Sequence, residues 1–188
     1  MRITRALALL AILAAVFTIA CSQQKANAPD VSDQIKDSLK ANNLGDVKVS
    51  EDRSKGVITL SGDVKDEQAK AQAEDIAKQN AGGLIVANEI GVRPAGAEGE
   101  AKKIDNNLDK GIEDNLRAAL TANHMDNQHV HFDSNNGVVT LKGDVDTPAQ
   151  RERAEKIAAK IPNVSQVVNE LDVKGAKRNR RAAASPGE

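Results

Sequence analysis

Apolar positions along this chain fall into five short runs that then recur, in the same order, further on. Val31, Ile35 and Leu39 stand four apart, a one-sided stripe that predicts a helix ending near Asn42-Asn43 and Gly45. Val47 and Val49 alternate with Lys48 and Ser50, which predicts a short strand with one buried face. Residues 53–56 make a turn into residues 56–64, a β-branched run bounded by Gly56 and Gly62 that reads as a buried strand. Asp66 is a good helix cap, and Ala69, Ala73, Ile76 and Ala77 form the apolar side of a second helix. Gly82-Gly83 breaks it, and residues 84–92 predict a third strand with Val86, Asn88, Ile90 and Val92 on one face.

The whole series returns at an offset of 137 − 56 = 81 residues, with Gly137 and Gly143 in the places of Gly56 and Gly62. Residues 30–92 and 111–173 align without a gap and are identical at 21 of 63 positions. Ile112, Leu116 and Leu120 repeat the first stripe, Val130 and Phe132 the first strand, and Asn169 stands where Asn88 does. Thr147-Pro148 is a cap followed by a first-turn proline for the second helix of this copy, and residues 164–173 predict its last strand. A fixed internal period marks a tandem duplication. The expected fold class is α+β: two αββαβ domains, each a three-stranded mixed sheet covered on one face by two helices. The boundaries are 30–93 and 111–174, with a linker at 94–110 and a tail at 175–188. Ile104 and Leu108 extend the four-residue spacing backwards, so part of that linker is expected to be helical from near Lys102, with Gly111 as a weak point.

Residues 1–20 read as a signal peptide rather than as fold. Arg2 and Arg5 precede an apolar run over residues 6–17, too short for the roughly 20 residues that span a bilayer. Cys21 is the single cysteine, so no internal disulfide can form. Thr18-Ile19-Ala20-Cys21 resembles a bacterial lipobox, with Thr18 where that motif usually carries Leu. The resemblance implies acylation of Cys21, and Ser22 after it implies sorting to the outer membrane. Residues 21–29 then form a flexible tether of roughly 30 Å when stretched.

Charge and composition narrow the function. The formal charge is −1, and loss of Arg2 and Arg5 with the leader leaves 24 cations against 27 anions, or −3. There is no Trp or Tyr, and the aromatic residues are Phe17 and Phe132. Base stacking is therefore not on offer, and no nucleic-acid partner is expected. His129 and His131 share a strand face in the geometry of a two-ligand metal site, but the first copy has Lys48 and Ser50 there. A solvated strand face is the reading taken, with a surface zinc or nickel site as the alternative. Asp63, Asp144, Glu89 and Glu170 read as turn and strand-surface carboxylates rather than as an acid–base pair. Asn88 and Asn169 fall on apolar faces and are expected to tie the sheet to a neighbouring loop. No catalytic group, cofactor or small-molecule substrate is expected. Lys174, Lys177, Arg178, Arg180 and Arg181 place five cations in eight residues. They read as a solvated tail or as a site for anionic phospholipid, at about 1 kcal/mol per cation near such a surface.

The repeated glycine-bounded strand, the alanine-rich helix and the closing Val-x-Asn-Glu-[Ile/Leu]-x-Val resemble the BON domain of bacterial osmotic-stress and nodulation proteins. With the leader and Cys21, the chain resembles dual-BON outer-membrane lipoproteins. That resemblance implies a non-catalytic protein, anchored by its acylated cysteine at the periplasmic face, that binds anionic phospholipid or other envelope proteins and supports outer-membrane integrity under stress. The alternative it implies is a soluble periplasmic osmotic-stress protein with chaperone-like activity.

Overall fold

The structure, a computed structural model, describes residues 31–125 and 129–174. The expectations for residues 1–30, including Cys21, and for Lys177, Arg178, Arg180 and Arg181 lie outside the described residues. The first copy runs α1 (Val31–Ala41), β1 (Lys48–Asp52), β2 (Val57–Ser61), β3 (Asp63–Val64), α2 (Glu67–Asn80), β4 (Ile85–Asn88) and β5 (Gly91–Val92). The second runs α3 (Glu98–Ala122), β6 (His129–Asn135), β7 (Val138–Val145), α4 (Pro148–Ala158), β8 (Gln166–Asn169) and β9 (Asp172–Val173).

In each copy the central strand pairs antiparallel with the strand before it and parallel with the strand after the helix: β1-β2-β4 and β6-β7-β8. The parallel pairing follows from the crossover helix, which returns the chain to the same end of the sheet. One sheet face carries the helices. Ile35 and Leu39 of α1 meet Ile58 and Leu60 of β2 and Ala73 and Ala77 of α2, all with no measurable exposure. In the second copy Ile112, Leu116, Val139, Leu141, Ala154 and Ala158 form the matching core. Burial of each large aliphatic side chain contributes about 1.5–3 kcal/mol. The alanines let α2 and α4 lie close to the strands.

The helix caps are as the local chemistry requires. Asp66 accepts from the Ala69 amide at 2.8 Å, and Thr147 and Gln150 form a reciprocal capping box around Pro148. Three local features differ from the sequence expectation. Each last strand divides in two, because the Asn88 side-chain oxygen Oδ1 accepts from the Ile90 amide at 3.3 Å and that of Asn169 accepts from the Leu171 amide at 3.2 Å. The helical part of the linker begins at Glu98 rather than near Lys102. It then runs unbroken through Gly111 as one 25-residue helix, since a glycine costs only about 1 kcal/mol and α3 is held on both sides of it.

Candidate functional site: a joint and a groove between the repeats

Side chains alternate along a strand, so the residues beside the core positions point away from the helices. Val57 and Ala87 do so in the first copy and Val138 and Val168 in the second, and the four form one buried cluster. The helix-free faces of the two sheets thus pack against each other. Polar bonds frame this joint with a two-fold logic. Lys55 donates to the Glu170 carbonyl at 2.9 Å, and Asn136 donates to the Glu89 carbonyl at 2.8 Å. Since 55 + 81 = 136 and 89 + 81 = 170, these are the same contact made in both directions, as in an isologous dimer interface.

Each corner adds its own bonds. Lys55 also reaches Asp172 at 2.9 Å. At the other corner Asn136-Gly137 is a two-residue hairpin turn with φ of 49° and 80°, which aims the Asn136 amide at the first copy. Asp109 of α3 holds that turn, accepting from the Asn136 and Gly137 amides at 2.8 and 3.0 Å and from the Ser134 hydroxyl at 2.8 Å. The Glu89 carboxylate accepts from Asn135 at 3.0 Å. Half-burial raises its pKa above the ordinary value; Asp133 and Asp109 push the same way, while the Asn135 bond and Lys142 oppose. Gln166 completes the joint by pairing with the outer edge of β4: it donates to the Val86 carbonyl at 2.7 Å and accepts from the Asn88 amide at 3.3 Å.

Beside the joint lies a groove of about 800 Å³ between α2 and α3. Ile90, Val92 and Pro94 lie along its floor. Ile104 and Leu108 of α3 stand in its wall at 53% and 43% exposure, although the same stripe is fully buried one turn further on at Ile112. The opposite wall is the flank of α2, with Glu67, Lys70, Glu74 and Lys78. Arg93 sets the spacing of the walls. Its side chain, 10% exposed, donates to Asp105 of α3 at 2.5 Å and to the Val92 carbonyl at 2.9 Å, with Nε 3.2 Å from Asp63. One arginine therefore ties α3 to the first copy.

The residues singled out from sequence are distributed as follows. Asn88 and Asn169 bind the second helix of their own copy, not a loop. Asn88 donates to Glu74 at 2.9 Å and Asn169 to Glu155 at 2.8 Å and to the Arg151 carbonyl at 3.1 Å. The Asn88 bond, and then Lys78, lower the Glu74 pKa. A helix supplies these partners because the amides lie on the helix-covered face. Gly62 and Gly143 have φ of 108° and 112°, and a Cβ there would meet the backbone oxygens of Asp46 and His129. Gly56 and Gly137 end the turns into the central strands. His129 and His131 are exposed on β6, and among the described residues no group of three or more His, Cys, Asp or Glu could hold a metal. Lys174 pairs with Asp146 at 2.8 Å, away from the groove. Of the candidate site residues read from the sequence, Asn88 and Gly137 line the groove. Lys55, Arg93, Asn136 and Gln166 were missed. Signals were present in Asn136-Gly137, a strong hairpin pair, and in the doubled Val57-Ile58 and Val138-Val139, which break alternation as strands buried on both faces do.

Two αββαβ copies joined through their open sheet faces define a tandem-repeat α+β protein. The chain belongs to the BON domain family, whose model matches residues 27–94 and 108–175. It is similar to the osmotically-inducible protein Y of Escherichia coli (strain K12), at 35% identity over 130 residues. The match covers 69% of this chain and 62% of that relative, so the chain spans less than two thirds of its length. Among solved structures, the C-terminal domain of CdsD, a structural protein of the type III secretion system of Chlamydia trachomatis, gives a TM-score of 0.31 at 17% identity. It covers 76% of this chain and 65% of that one. A second CdsD structure gives 0.29 at 16% identity, covering 82% and 68%. At those scores the likeness carries no argument. No helix among the described residues is long and apolar enough to cross a membrane.

Proposed function

We propose that this chain is a non-catalytic binding protein of the bacterial envelope. In this reading it is anchored at the periplasmic face of the outer membrane through acylated Cys21 and supports membrane integrity under osmotic stress. It works by contact with anionic phospholipid and with other envelope proteins. The observation that carries the binding role is the half-exposed apolar ridge of Ile104 and Leu108 inside a groove between the two copies. The name of the osmotically-inducible relative supports the stress setting. The carboxylates around the groove support contact rather than catalysis: Glu74, Asp105 and Asp109 are each engaged in bonds that hold the architecture. For the lipid contact, the cations from Lys174 to Arg181 supply charge next to a surface where the acyl anchor holds them.

The test is flotation of the chain from residue 21 onward, with Cys21→Ser, on neutral and on phosphatidylglycerol vesicles. Recovery with the anionic vesicles alone is expected; equal recovery on both counts against the lipid contact. Mass spectrometry of the mature amino terminus from membrane fractions tests the anchor. The similarity to the osmotically-inducible relative favours a second reading, a soluble periplasmic chaperone-like protein, under which Cys21→Ala leaves function intact.

A further inference from the structure

We propose that the groove between α2 and α3 seats a net-cationic amphipathic helix from a partner protein, its apolar stripe laid on Ile104 and Leu108. The inference rests on the binding role proposed above and adds the chemistry of the occupant. The first observation is the ridge. Ile104 and Leu108 continue the stripe of Ile112, Leu116 and Leu120, whose members are 0–5% exposed in the second copy's core. Sequence spacing makes α3 apolar over its whole inner face, but the fold covers only the part beyond Leu108. The large apolar side chains exposed among the described residues are Ile85, Ile104 and Leu108, and two of those three share this groove. The groove is also continuous with the joint, since Asn136 and Gln166 line it.

The second observation decides between a helix and a strand. An added strand would need free backbone groups along the β4–β5 edge. Four of those groups are taken by side chains: Gln166 holds the Val86 carbonyl and the Asn88 amide, the Asn88 side chain holds the Ile90 amide, and Arg93 holds the Val92 carbonyl. With one group engaged at each of Val86, Asn88, Ile90 and Val92, the edge offers no regular ladder to a new strand. An occupant must therefore dock through its side chains. Two helical walls with an i, i+4 ridge offer the surface into which the ridges of a third helix fit.

The third observation is charge. The lining carries four carboxylates (Glu67, Glu74, Asp105, Asp109) against two lysines (Lys70, Lys78). Even with Arg93 counted behind Asp105, the groove stays net negative. It is complementary to a cationic partner and repels an anionic bilayer, which is also too flat to enter a cleft between two helices.

The test uses residues 21–188 with Cys21→Ser and a fluorescein-labelled Leu/Lys helix-forming peptide of about 14 residues, the length of α2. Saturable one-to-one binding is expected by fluorescence anisotropy. Ile104→Gln or Leu108→Gln should weaken it by about tenfold or more without lowering the melting temperature, since both side chains are half-exposed. A Leu/Glu peptide should not bind. Equal binding of the Leu/Glu peptide, or of a Leu/Lys peptide with its stripe scrambled, overturns the proposal, as does unchanged binding by both variants. If Ile104→Gln instead abolishes flotation on phosphatidylglycerol vesicles, the groove belongs to lipid. If it dissolves a dimer seen by sedimentation, the groove belongs to a second copy. Either result overturns the proposal. Peptide binding retained in a chain that anionic vesicles fail to recover supports the groove and removes only the lipid part of the proposed function.

Discussion

Replacing Arg93 with alanine should loosen α3 from the first copy. The guanidinium is 90% buried and spans Asp105, at 30% exposure, and Asp63, at 55%. Removing one partner of a fully buried pair costs about 3–5 kcal/mol, whereas an exposed pair is worth about 0–1. Asp63 belongs with the exposed pairs and Asp105 lies between the limits, so a loss of about 2 kcal/mol is expected. For a chain of this size that is a fall in melting temperature of about 4–8 °C. Differential scanning calorimetry measures the loss, and amide exchange locates it, with faster exchange expected over residues 98–110. Arg93→Lys keeps the charge but not the two-pronged reach and should fall between wild type and alanine. Gly91→Ala reaches the same clamp from behind, because its Cβ would stand 2.6 Å from Arg93 Nη2 and from Asp63 Oδ1. Lys156→Ala is the control: that lysine and Glu152 are both about two-thirds exposed, and the melting temperature should not measurably change. A melting temperature for Arg93→Ala within about 1 °C of wild type, or unchanged exchange over residues 98–110, would refute the clamp.

Glu89→Gln should stabilise the chain at neutral pH. The folded-state pKa of Glu89 is raised above 4.5, so its contribution is full below that value and is lost as pH rises through the folded pKa; the gain from Gln should therefore vanish on acidification in urea titrations run across pH. Gly143→Ala should cost more than ~3 kcal/mol by denaturant unfolding, combining a left-handed φ with a Cβ placed 1.8 Å from the His129 carbonyl oxygen, and should exceed Gly62→Ala, whose nearest atom is at 3.1 Å. Asn88→Ala should cost about 2 kcal/mol and return the titration of Glu74, followed by NMR, toward its ordinary value; an unmoved Glu74 would remove the Asn88 bond as the main cause of its shift.

Within each copy the sequence was readable because local and tertiary demands agree. Ile35 and Leu39 repeat at helical spacing and meet the same core as Ile58 and Leu60, and Asp66 and Thr147 sit where caps are required. Between copies the agreement ends. Lys55, Asn136 and Gln166 are ordinary surface residues by type, and only the meeting of two open faces turns them into joint residues. Arg93 is by type an ordinary residue at the end of the first copy, since nothing local shows that Asp105, 12 residues on, returns to it. Gly111 is a weak point of α3 by local propensity, but about 1 kcal/mol is small against the contacts that anchor the helix on either side. The groove was illegible for the same reason. Ile104 and Leu108 were visible as a stripe, but their partial exposure depends on where α2 and the first sheet come to rest.

The reciprocal contacts of the joint bear on where such a chain came from. A lone ancestral unit bearing this face would have met its own twin across a true dyad, at an association governed by concentration. Fusing two genes end to end makes the encounter permanent and frees the halves to diverge, so that a lysine now does at one corner what an asparagine does at the other.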